Sequence, residues 1–110
     1  MSARINFTSN IEQVKRQMAA ATAEFLETAA LKVEGDAILL CPTDTGNLRN
    51  SISHEVEENT ATIGTNVEYA SHVELGTSKQ GAQPFLRPAL DQNQDSLKTM
   101  YKDIIKRHID

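Results

Sequence analysis

The sequence has no tryptophan, and its 110 residues include a single cysteine, Cys41. One cysteine excludes a disulfide framework and a cluster of thiolates around a metal, and it is typical of a protein made in a reducing compartment. The aromatic residues are limited to two tyrosines and three phenylalanines. The core therefore has to be built from alanine, leucine, isoleucine and valine, which suits one modest domain spanning residues 1–110.

Long apolar runs are also missing. A membrane helix needs about 18 or more consecutive apolar residues, and a signal peptide needs an apolar run behind its basic start, but the sequence shows neither. We therefore expect a soluble protein made in the cytoplasm. The net charge is −4, from 15 acidic and 11 basic residues, whereas tight binding of nucleic acid requires a dense basic surface. Composition thus argues against nucleic acid as the main ligand.

Apolar residues recur every three or four positions from Ile11 to Leu40, which predicts an amphipathic helix of about 30 residues. Ser9 and Glu12 have the spacing of a capping box and predict where this helix begins. Pro42 disfavours helical backbone at the residue before it, so the helix should end one or two residues earlier.

Such a helix spans about 45 Å, whereas a compact domain of this size is only about 35 Å across. We therefore expect the helix to overhang the rest of the domain or to bend at Gly35, and we expect another subunit to cover its apolar stripe. The small residues that would let this neighbour approach closely, and that we predict as an interface, are Ala19, Ala20 and Ala23.

Two later segments are rich in turn-forming residues. Residues 42–50 are predicted to form a turn in which Asp44 bonds to the backbone ahead of it and Gly46 supplies a positive φ. Residues 68–77 fit either a short helix ending at Gly76 or a third strand, and the pattern leaves both open.

Residues 51–57 and 60–67 alternate between apolar and polar side chains, which predicts an antiparallel hairpin with its turn at residues 58–59. A hairpin alone is marginal in water, so a helix must pack on it. The residues predicted to share its inner face are Ile52, His54, Val56, Ala61, Ile63 and Thr65. The acids expected to form a solvated edge are Glu55, Glu57 and Glu58.

A second helix is predicted to start near Pro88, a favourable first-turn residue. One face of this helix carries Leu90, Leu97, Tyr101, Ile104 and His108. The elements together predict an α+β fold, in which a long N-terminal helix flanks a central antiparallel sheet of three to four short strands and the C-terminal helix packs on that sheet.

The second helix also carries a basic stripe, because Lys98, Lys102 and Lys106 are spaced by four residues. The stripe is typical of a solvated face with helical ion pairs, such as Asp103 with Arg107, and it would also serve as a docking face for an acidic partner. As an alternative function, the stripe would make the chain a small nucleic-acid-binding module.

The sequence contains no nucleophile elbow, Walker loop or dinucleotide fingerprint. His54, His72 and His108 are scattered rather than placed at the spacing of metal ligands. His72 and Glu74 would share a face only on a strand, and they are the one basis for a hydrolase hypothesis. Cys41 is expected to be a buried small hydrophobe. We therefore predict no catalytic, metal-binding or cofactor-binding residues.

Three ordered segments together resemble a known family. They are residues 42–52 (Pro-Thr-Asp-Thr-Gly-Asn-Leu-Arg-Asn-Ser-Ile), 69–77 (Tyr-Ala-Ser-His-Val-Glu-Leu-Gly-Thr) and 84–90 (Pro-Phe-Leu-Arg-Pro-Ala-Leu). In this order and at these distances they resemble the phage HK-ninety-seven gene-product-ten family, small tail-completion or head–tail joining proteins of long-tailed phages and prophages. The residues that carry the motif are Asp44, Gly46, Leu48, Arg49, Ile52, Tyr69, Val73, Glu74, Gly76, Pro84, Phe85 and Pro88.

The resemblance implies a non-enzymatic structural subunit that assembles as a ring, a hexamer in the particle, between the phage neck and the tail tube. Its partners would be copies of itself and neighbouring neck and tail-terminator proteins. DNA would only pass through, and no cofactor or membrane is implied. The protein would reside at the head–tail junction of the virion and in the host cytoplasm during assembly. An unlike contact, between the basic end of the last helix and the acidic hairpin, would repeat from copy to copy and close a ring.

Within the motif, the polar residues expected to be paired are Arg49, Glu74 and Arg87. If Glu74 is buried, its charge must be satisfied by an arginine or by backbone amides. The residues expected to lie in the core are Leu48, Ile52, Tyr69, Val73 and Phe85.

Overall fold

A computed structural model describes residues 7–42 and 46–109 of the chain. The elements in chain order are α1 (Phe7–Leu40), α2 (Gly46–Ser51), β1 (Ser53–Glu57), β2 (Thr60–Gly64), α3 (Ala70–Leu75), α4 (Leu86–Asp91) and α5 (Gln94–Ile109). The expected α+β architecture is confirmed. In the described part of the chain the sheet has two strands, fewer than the three to four predicted, because the ambiguous segment 68–77 forms helix α3.

The first helix is longer than predicted and makes the molecule elongated. It has 34 residues, about 51 Å at the standard rise, and the molecule measures 80 × 23 × 22 Å. The helix already includes Ser9, so the prediction that Ser9 caps its start is wrong. It continues without interruption through Gly35 and ends at Leu40, just before Pro42, as predicted.

Helix α5 packs antiparallel against α1. The rings of Phe25 and Tyr101 lie 4.9 Å apart in an edge-on contact, and Arg107 reaches Glu24 with an Nη2–Oε2 distance of 3.1 Å. The last turns of α5 therefore lie near Glu24, and Ala21, one turn earlier on α1, is still buried. The segment of α1 before Glu24, Phe7–Ala23, extends about 25 Å beyond this contact, which confirms the predicted overhang. We call this segment the N-terminal arm.

The sheet packs on α1. We had predicted instead that the C-terminal helix packs on the sheet. Helix α1 contacts both strands as well as α4 and α5, and it is the common partner of these elements. The buried cluster at its C-terminal half consists of Val33, Ala37, Cys41, Leu48, Ile52, Phe85 and Ala89. Val73 is partly buried against this cluster, whereas Tyr69 is 39% exposed and the prediction that it lies in the core is wrong.

The predicted second helix is in fact two helices, α4 and α5, separated by a turn at Gln92 and Asn93. The side-chain amide of the buried Asn93 donates to Asp36 Oδ2 at 2.7 Å and to the Ala89 carbonyl at 2.6 Å. The hydrogen bond from Asn93 is the main reason why the pKa of Asp36 lies below its ordinary value. With the helix broken here, Leu90 leaves the apolar face of α5 and is 45% exposed, contrary to prediction.

The hairpin forms as predicted, although its strands are shorter. Strands β1 and β2 pair antiparallel, with His54 opposite Ile63 and Val56 opposite Ala61. These four residues are partly buried against α1, and the alternate positions are exposed except for Gly64, which is partly buried. The turn places Glu58 at a positive φ of 47°.

The two motif glycines have different roles. Gly76 adopts φ 79° at the end of α3, and an added Cβ would lie 2.7 Å from the backbone nitrogen of Ala82. Gly46 instead begins α2, and a Cβ there would meet nothing within 4 Å. The prediction of a positive φ at Gly46 is therefore wrong, because the described part of the presumed turn forms a short helix; Asp44 lies outside the described residues.

We predict that Gly76→Ala destabilises the protein by about 1–3 kcal/mol, because the new Cβ combines an unfavourable φ with a backbone collision. Gly46→Ala is the matched control, and its effect should stay within about 0.5 kcal/mol. Urea unfolding followed by circular dichroism measures both. Equal midpoints for the two variants would show that the conformation of Gly76 is not a constraint.

Candidate assembly surfaces

Glu74 joins the second motif segment to the third. Its Oε1 accepts hydrogen bonds from the backbone amides of Phe85 (3.0 Å) and Leu86 (2.9 Å), and its Oε2 accepts one from Arg87 (3.1 Å). Burial alone would raise the pKa of Glu74, but these three amides outweigh it and the pKa lies below its ordinary value. We expected a buried Glu74 to need either an arginine or backbone amides, and the structure supplies backbone amides. Through these bonds the carboxylate holds the start of α4 in place.

His54 fastens the hairpin to α1. Its Nδ1 bonds to Glu34 Oε2, and its Nε2 lies 3.1 Å from Glu27 Oε1. The hydrogen bonds that His54 donates to Glu34 and then to Glu27 favour the protonated imidazole, so the pKa of His54 is raised above its ordinary value. This contact was missed in the sequence, because both partners lie on α1, far away along the chain.

The other two polar motif residues serve local structure. Arg49 Nε donates to the Ile38 carbonyl at 3.0 Å and so ties α2 to the end of α1. Arg87 is exposed and pairs with Asp91 one turn later on α4, at 3.2 Å. The motif segments therefore build architecture around the buried cluster.

His72 and Glu74 do not form a reactive pair. Both lie on the short helix α3, His72 is exposed, and Glu74 is engaged by backbone amides. In the described residues, no group of three or more histidine, cysteine, aspartate or glutamate side chains is arranged to hold a metal ion. No helix in the described part of the chain is long and apolar enough to cross a membrane.

The N-terminal arm exposes small and apolar side chains. Ala19, Ala20 and Ala23 are exposed, as an interface would require, and Val14 is 46% exposed. Further along α1, beyond the exposed Glu27, Leu31 is 56% and Leu39 is 76% exposed. Gly35 lies between these two leucines on the same side of the helix, since the three residues are spaced by four.

Charges of opposite sign lie on different elements. Lys98, Lys102 and Lys106 are exposed along α5, and Glu55, Glu57 and Glu58 are exposed on the hairpin. The predicted pairing of Arg107 with Asp103 is replaced by the ion pair of Arg107 with Glu24 on α1.

A shallow groove of about 800 Å³ runs between α1 and α5. Its lining includes the acids Glu24, Asp95 and Asp103, together with Met100 and Ile104. The lining also includes Arg107, which pairs with Glu24, so the surface is mixed in charge and polarity.

Comparison with known proteins finds one family. A family model described as "Bacteriophage HK97-gp10, putative tail-component" matches residues 6–76, more than half of the chain. This match covers α1, the hairpin and α3, and it agrees with the resemblance seen in the motif segments. No curated protein matches, and no solved structure matches.

We predict that Glu74→Gln lowers the free energy of unfolding by roughly 1–3 kcal/mol at neutral pH, because a neutral amide replaces the carboxylate that accepts three backbone hydrogen bonds. Glu68→Gln, at an exposed position nearby, is the control for loss of charge.

The pH dependence gives a second readout of Glu74. A carboxylate whose pKa is lowered by folding stabilises the native state above its unfolded pKa, here 4.5, and this stabilisation is lost as the pH falls through the lower folded pKa. The native protein and Glu68→Gln should lose this contribution in acid, and Glu74→Gln should not. Parallel acid dependence in all three proteins would contradict the capping role.

The contribution of His54 to stability depends on pH in the opposite direction. A histidine whose pKa is raised by folding stabilises the native state fully below its unfolded pKa, here 6.5, and the contribution is lost as the pH rises through the folded pKa. We expect His54→Gln to flatten the decline of stability in the range above pH 6.5. Urea midpoints across that range measure it, with the exposed His72→Gln as control. An unchanged decline in His54→Gln would rule out this contact as its source.

Proposed function

The chain belongs to the bacteriophage HK97-gp10 family of tail components, and from that premise we propose that it is a structural subunit of the junction between head and tail, where it assembles as a ring. The family membership supports a role in the virion and a structural rather than catalytic function. Beyond family membership, the proposal adds the position at the neck, the ring and the copy number.

The N-terminal arm is the observation that carries the proposal. Most of it projects beyond the end of α5, and the side chains from Glu12 to Arg16 are exposed. Ala19, Ala20 and Ala23 share one side of the helix with the exposed Arg16 and Glu12, because these residues are spaced by three and four, so this side offers small side chains beside charged ones. Contact with a neighbouring copy would cover this surface and stabilise the helix.

The charge distribution supports a head-to-tail arrangement of copies. The lysine stripe of α5 and the acidic hairpin are unlike surfaces, and a contact between unlike surfaces repeats from one copy to the next until the rotation closes. Six copies would match the six-fold symmetry of the tails of long-tailed phages. The copies would also contact the neighbouring neck and tail-terminator proteins.

A ring at this position would surround the passing DNA. The chain has a net charge of −4, and an acidic inner wall would repel the phosphate backbone and keep the DNA from binding. DNA is therefore cargo in this proposal.

The alternative of a nucleic-acid-binding module gains no support from the structure. The lysine stripe lies on the same helix as Asp95 and Asp103, and the basic Arg107 beside it is already paired with Glu24. A mixed surface of this kind does not provide the dense basic footprint that phosphate binding requires.

We predict that Ala20→Trp, which adds bulk to the exposed arm, leaves the fold of the isolated protein intact but prevents joining of heads and tails. The intrinsic helix preference of tryptophan differs from that of alanine by less than about 0.7 kcal/mol, so the melting temperature should change little. Complementation of a phage that lacks the gene measures the effect, as accumulation of unjoined heads and tails. Ser78→Trp, in an exposed loop, is the matched control and should complement.

The location is tested directly by electron cryo-microscopy of the intact particle. We expect density for the protein as a closed ring next to the head. Absence of the protein from the neck, or its position at the distal tip of the tail, would contradict the proposal.

A further inference from the structure

The two-stranded sheet has an edge on β2 whose backbone groups face away from β1. A turn of two residues joins the strands, with Glu57 opposite Thr60, and in such hairpins the flanking pair exchanges hydrogen bonds and every second pair does the same. The pairs in between, which contain Ala61 and Ile63 on β2, direct their N–H and C=O groups outward. No other backbone bond engages these two residues in the described part of the chain.

The edge of β2 lacks the features that protect the edges of sheets. Exposed edges are normally guarded by charged residues, proline or bulges. Strand β1 carries His54, Glu55 and Glu57, whereas β2 reads Thr-Ala-Thr-Ile-Gly, without a charge or a proline. The two edges of the same hairpin therefore differ, and only the edge of β2 is suited to accept another strand.

An apolar groove of about 420 Å³ lies beside this edge. Three consecutive residues of β2, 61–63, line it, so the groove follows the edge of the strand rather than one face. Val33 of α1 and Leu86 and Leu90 of α4 form the rest of its apolar lining. The bonds of Glu74 to the start of α4 keep these leucines opposite the strand.

We propose that the edge of β2 and this groove bind an extended segment of a different protein of the junction, which adds a third strand to the sheet. The main chain of the segment would bond to Ala61 and Ile63, as in other cases of strand addition. Its apolar side chains, at every second position, would lie on Val33, Leu86 and Leu90. The inference rests on the proposed function, because it requires a neighbouring virion protein.

The geometry favours a different protein over a second copy of this chain. Both strands of this chain are already covered on their inner face by α1. A second hairpin added at the edge of β2 would bring its own α1 into the layer that α4 occupies. A single strand without a covering helix has no such conflict, and it would use α4 as its cover.

Hydrogen exchange measured on the isolated protein and on intact particles tests the inference. In the isolated protein, the outward amides of Ala61 and Ile63 should exchange fast. In particles they should exchange at least about tenfold more slowly, whereas the outward amides of His54 and Val56 on β1 should keep their rates. Equal rates for β2 in both samples would overturn the inference.

Two further outcomes separate the alternatives. Slow exchange in the isolated protein together with a doubled mass would identify the occupant as a second copy and would overturn the proposal. If the protein is found at the neck but its β2 amides are unprotected, only this inference fails, whereas absence from the neck defeats the proposed function itself.

A variant gives an independent readout. Ala61→Pro removes only an outward N–H, so the hairpin and the thermal melt should be retained while heads and tails fail to join. Ala61→Val keeps the N–H and should still allow joining. Normal joining with Ala61→Pro would overturn the inference.

Discussion

The packing of short elements on the C-terminal half of α1 supports the rest of the structure. Without this helix, the hairpin would be a two-stranded sheet that is marginal in water, and α4 and α5 would have no common partner. Helix α1 and the residue after it contribute small side chains, Val33, Ala37 and Cys41, and the short elements contribute the larger Phe85 and Leu48, which are fully buried. Polar contacts fix the positions of these elements. His54 holds the hairpin on α1, and Asn93 holds the turn before α5 on the same helix.

The division of α1 into a packed half and a projecting half connects the fold to the proposed role. The packed half organises the motif segments around the buried cluster. Most of the projecting half is exposed, although Ala21 is buried, and the edge of β2 has no cover from a third strand in the described residues. Under the proposed function, contacts with other copies and with other virion proteins would cover both surfaces. A structural subunit whose stability and assembly share the same elements is consistent with membership of a family of phage tail components.

Predictions from local pattern were correct where neighbouring residues decide the structure. The residue before Pro42 is disfavoured in a helix whatever surrounds it, and the alternation in the hairpin sets its inner face because successive strand residues point to opposite sides. The errors lie where a distant partner decides. A helix through Gln92 was plausible locally, but the amide of Asn93 bonds to Asp36, and the chain turns there. Tyr69 has the size of a core residue, yet α3 presents Val73 to the cluster instead.

The candidate surfaces show the same division between features that neighbouring residues decide and features that distant contacts decide. The sequence by itself determined the types of most elements, the face of the hairpin, the overhang of α1 and the family, because these follow from spacing, chain length and short motifs. It identified Glu74 as a residue in need of partners, but it could not choose between an arginine and amides. Only the tertiary structure decided which partners Glu74 has. It also paired His54 with Glu27 and Glu34, placed the sheet on α1 rather than on α5, and formed the groove beside β2. Contacts of this kind join residues far apart in the chain, and they depend on how whole elements pack rather than on any local preference.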